Sequence, residues 1–63
     1  MKRVWYRHKD GEKIVIADND LVHLIATKYL MPIEDAQTMI DVAPIGHVIS
    51  TAEADYIVRA TDS

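Results

Sequence analysis

The chain has 63 residues, of which 49% are hydrophobic and 27% charged, with no cysteine. That balance belongs to a folded protein and not to a disordered tail. The length allows one domain at most, spanning residues 1–63, near the lower limit for a self-sufficient core. No apolar run approaches the roughly 18 to 20 residues of a membrane span. The opening Met1-Lys2-Arg3-Val4-Trp5 precedes no long apolar segment either, so neither a membrane partner nor a signal peptide is expected. Without cysteine there is no disulfide or thiolate–zinc staple, which favours a cytoplasmic setting and raises the expectation of oligomerisation.

The net charge of −3 conceals a split. Residues 1–13 carry Lys2, Arg3, Arg7, Lys9 and Lys13 against Asp10 and Glu12, a net of +3. Residues 14–63 carry Lys28 and Arg59 against eight carboxylates, a net of −6. Asymmetry of this kind speaks to partners and not to fold.

In chain order, Val4-Trp5-Tyr6 and Ile14-Val15-Ile16 are β-branched and aromatic runs that suit strands. Asp10-Gly11 between them is the signature of a two-residue type I′ turn. The expected hairpin covers about 1–17, with Tyr6 opposite Val15 and Trp5 opposite Ile16. Asp18-Asn19-Asp20 can accept hydrogen bonds from the free N–H groups of a helix start. Leu21, Leu24, Ile25, Tyr29 and Leu30 then recur at helical spacing, giving a helix over 19–30 that Pro32 ends. Pro32 also suits the first turn of a helix over 32–43, with Ile33, Ala36, Ile40 and Ala43 as its apolar stripe. Pro44 and Gly46 close it.

His47-Val48-Ile49 is short enough to be either a connector or a third strand beside the hairpin. Ser50-Thr51-Ala52-Glu53 has the spacing of a capping box, which predicts a third helix over 51–60. The expected order is ββααα, in the α+β class. The tail from Thr61 is expected to fray.

Chemistry is hard to build from these residues. His8, His23 and His47 lie in three separate regions without the close pairing that metal ligands show. Ser50 reads as a cap and Ser63 sits at the terminus, so no nucleophile with a base and an orienting acid is evident. Gly11 and Gly46 are the only glycines, so there is no phosphate-cradling loop. No catalytic residue, cofactor or metal is expected. Helices one and two fit a helix-turn-helix in part, with Leu30 where that pattern carries glycine. However, the second helix opens Ile33-Glu34-Asp35, where DNA contact needs Lys or Arg.

The hairpin is the better candidate surface. Period-2 alternation puts Val4, Tyr6, His8, Lys13, Val15 and Ala17 on one face and Arg3, Trp5, Arg7, Lys9, Glu12, Ile14 and Ile16 on the other. Both are apolar at the open end, yet packing on helices buries only one of them. An exposed Trp5 flanked by arginines would have the composition of an interface hot spot. The expected partner-binding residues are therefore Arg3, Trp5, Tyr6, Arg7, Ile14 and Ile16. The expected function is non-enzymatic binding of another protein chain, most simply a second copy in a homodimer. The alternatives are a nucleic-acid-binding regulator using the basic hairpin, and a small acidic inhibitor of a larger protein. In size and lack of cysteine the chain resembles small accessory proteins of bacteria and their phages.

Overall fold

The computed structural model describes residues 2–9 and 13–62. The element order is β1 (Lys2–Arg7), β2 (Val15–Ile16), α1 (Asp18–Tyr29), α2 (Ile33–Val42), β3 (Val48–Ser50) and β4 (Asp55–Thr61). The α+β class holds, but the order is ββααββ. The strands form one antiparallel sheet of four in the order β2-β1-β4-β3. Its shortest dimension, 16 Å, is that of one sheet and one helical layer.

The hairpin has the register that a two-residue turn dictates, with Trp5 opposite Ile16 and Tyr6 opposite Val15. The Asp10-Gly11 turn itself lies outside the described residues. Trp5 goes inward and is 2% exposed. It packs in one cluster with Leu21, Val22 and Ile25 of α1, Ala36 and Ile40 of α2, and Val58 of β4. The helical stripe of α1 is rotated from the expected one: Val22 is buried, while Tyr29 and Leu30 are exposed. Asp18 and Asp20 sit in the first turn, where they complement the helix dipole, but no side chain caps α1 and Ala17 holds the cap position.

Leu30 ends α1 in the left-handed region at φ 53°, and its N–H donates to the Ala26 carbonyl. Left-handed backbone costs a residue with a side chain about 1–2 kcal/mol. The helix-turn-helix pattern places glycine at this turn for that reason. Here Pro32 follows at once and fixes the break, and α2 runs from Ile33. Gly46, at φ 90°, turns the chain into β3 and donates its N–H to the Val58 carbonyl at 2.8 Å.

The predicted third helix over 51–60 does not form. Asp55–Thr61 is instead the longest strand, paired along its length with β1 from Lys2↔Thr61 to Arg7↔Tyr56. Tyr56-Ile57-Val58 is a β-branched and aromatic run, and insertion between β1 and β3 buries all three of its side chains. Thr61 is held in the ladder and does not fray. His47-Val48-Ile49 contributes strand β3, but at the edge beside β4 and not beside the hairpin.

The supposed capping box is the loop between these strands, and Thr51, not Ser50, organises it. The Thr51 hydroxyl donates to the Ala54 carbonyl at 2.7 Å and accepts from the N–H groups of Glu53 at 3.2 Å and Ala54 at 3.1 Å. Serine and threonine serve turns and helix starts by the same hydrogen bonds. A local pattern therefore does not separate the two. The Ser50 carbonyl accepts from the Tyr29 hydroxyl at 3.1 Å, which ties the end of α1 to β3.

Candidate functional site: the open face of the sheet

Alternation along each strand divides the sheet side chains between two faces. Trp5, Ile16, Val58, Tyr56 and Ile49 lie on the face that the helices cover. The opposite face has no second layer among the described residues. Across it the registers align Val15, Tyr6, Ile57 and Val48 in one apolar row, one residue from each strand. Val15 is 60% exposed and Val48 39%, while Tyr6 is half-buried and Ile57 lies at the floor.

The six residues expected to form the contact surface are not brought together. Only Tyr6 lies on the open face. Trp5 is in the core, and Ile16, half-buried, pairs with it and packs against that core on the covered face. The apolar character of both hairpin faces left this choice open. The helical layer takes the face that carries the larger aromatic. Ile14 lies on the parity of the covered face, next to the ladder, and is 49% exposed.

Arg3 serves the fold. Its guanidinium donates to the carbonyls of Asp41 at 2.9 Å and Ile40 at 3.1 Å, and also to that of Ala43. These are the last carbonyls of α2, which carries no basic residue of its own in its final turn. A cation from a neighbouring strand thus satisfies orphan acceptors and complements the negative helix end. Arg7 is half-buried, and its Nε is buried without a hydrogen-bond partner among the described residues.

Beside the apolar row is a groove of about 470 Å³ whose lining includes Tyr6, Arg7, His8, Lys13, Ile57 and Arg59. No carboxylate is among the described residues that line it. The side chains of Lys13 and Arg59 have no hydrogen-bond or ion-pair partner among the described residues. The helices carry the opposite sign: Asp18, Asp20, Glu34, Asp35 and Asp41 against Lys28. The charge split of the sequence thus becomes a split between layers.

The residues that sequence reasoning missed are Val15, Lys13, Val48, Ile57 and Arg59. Val15 and Lys13 lie on the hairpin face that was not favoured, Val48 in a segment read as connector or third strand, and Ile57 and Arg59 in the expected third helix. The signal that would have found the last two is Tyr56-Ile57-Val58 itself, a strand-like triple set between Asp55 and Arg59. Among the described residues no group of three or more His, Asp or Glu side chains could hold a metal ion. No described helix is long and apolar enough to cross a membrane. No protein-family model, curated protein or solved structure matches the chain.

Proposed function

We propose that this protein is a non-enzymatic binding domain that docks another protein chain on the open face of its sheet. The observation that supports the reading is the row Val15-Tyr6-Ile57-Val48, four apolar or aromatic side chains aligned across four strands on an uncovered face. Sheets of this kind bury one face and leave the other polar. A contiguous apolar stripe rimmed by charges is the composition of an interaction surface. The interface proposed from the hairpin alone thus moves to the opposite face, keeps Tyr6, and gains residues from β3 and β4.

The test is site-specific photo-crosslinking in cells that produce the protein. A benzophenone side chain replaces Val15, Val48 or, on the helical layer, Thr38. Discrete adducts from positions 15 and 48, absent from position 38, are expected. Their masses separate a second copy from a different chain. Adducts from position 38 alone would move the interface to the helices and overturn the reading.

A further inference from the structure

Resting on that docking reading, we infer that the segment seated on the open face is an extended, acidic stretch of the partner, its carboxylates held by Lys13 and Arg59. The apolar row crosses three interstrand spacings of about 4.8 Å, so an extended segment of roughly four to five residues spans it at about 3.3 Å per residue. Such a segment directs alternate side chains to the row. The groove on which Tyr6 and Ile57 open also takes the side chains of Lys13 and Arg59.

Two observations point to a negatively charged occupant. The described lining of the groove contains cations and no carboxylate. The side chains of Lys13 and Arg59 are unpaired among the described residues.

The same charges would attract a phosphodiester strand, but two features favour a polypeptide. Single-stranded nucleic acid is held by successive aromatic platforms, and Tyr6 is the one aromatic of the described sheet residues on this face, since Trp5 and Tyr56 face the helices. The whole chain is also net negative, at −3. A long polyanion running past the groove meets that field, whereas a short acidic segment within it is shielded from the far helical layer. Screening acts over about 8 Å at physiological salt, and the molecule is 16 Å through its thin axis.

The probe is a short fluorescein-labelled peptide alternating Asp with Leu and Ser, followed by anisotropy. Its Asn-for-Asp counterpart and an oligothymidylate of matched length serve as comparisons. The acidic peptide should bind, weaken with salt, and lose at least about tenfold in affinity in K13E/R59E, which retains the wild-type circular dichroism and melting temperature. K13Q/R59Q, a milder pair, should show a smaller loss in the same direction, and Glu34→Gln on the helical layer should show none. Tighter binding of the oligothymidylate than of the peptide would overturn the inference in favour of nucleic acid. Equal binding of the Asp and Asn peptides would overturn it as well. If the acidic peptide fails while crosslinks from positions 15 and 48 persist, the acidic chemistry is wrong and the docking face stands. If both fail, the docking reading falls too.

Discussion

The two faces of the sheet carry much the same kinds of side chain and meet different fates. Trp5, Ile16, Val58 and Ile49 point to the helices, whereas Val4, Tyr6, Val15 and Val48 point away. Alternation normally tells the faces apart because one set is polar. Here it does not. The decision falls to what α1 and α2 can cover, and the face bearing the indole is taken. The second apolar face then remains, and it has a use only if something else covers it.

The strongest way to break this comparison is at Trp5. Trp5→Ala should cost about 3–5 kcal/mol, enough to unfold a domain of this size, as read by urea denaturation. A cost below about 1 kcal/mol would mean that the helices do not cover this face. Arg3→Ala should cost less, about 1–2 kcal/mol, because carbonyls at the end of α2 lose a charged donor at a solvent-exposed site. Arg3→Lys should recover part of that loss, since one ammonium cannot reach three carbonyls with the geometry of a fork. If alanine and lysine behave alike and neither destabilises the chain, the cap has no energetic role. Val15→Thr sharpens the contrast from the other side. On the open face it should alter stability by no more than about 0.5 kcal/mol, against the larger costs on the covered face. A large loss would show that Val15 is packed within the fold.

Local chemistry made much of the first half legible. Asp10-Gly11 between two β-branched runs carried the hairpin, and the register Trp5↔Ile16 agrees with the turn length it implies. Pro32 divided the helices because it excludes the helical conformation for the residue before it. The second half was misread where a local signal was ambiguous. Ser50-Thr51-Ala52-Glu53 suits a helix start and equally suits the turn that Thr51 closes.

What the sequence by itself determined is what neighbours in the chain decide: the hairpin and its register, the two helices and the break between them, and the surplus of apolar strand residues. Tertiary structure decided the rest. β4 is a strand because Lys2 lies opposite Thr61 at the far end of the chain and β1 offers it a full ladder. Arg3 is a helix cap because that sheet position lies beside the end of α2. The groove exists because β2, β1 and β4 bring Lys13, Tyr6 and Arg59 to one surface. Each of these rests on pairing between distant segments, whose energy appears only once the sheet is assembled, and no local spacing encodes it.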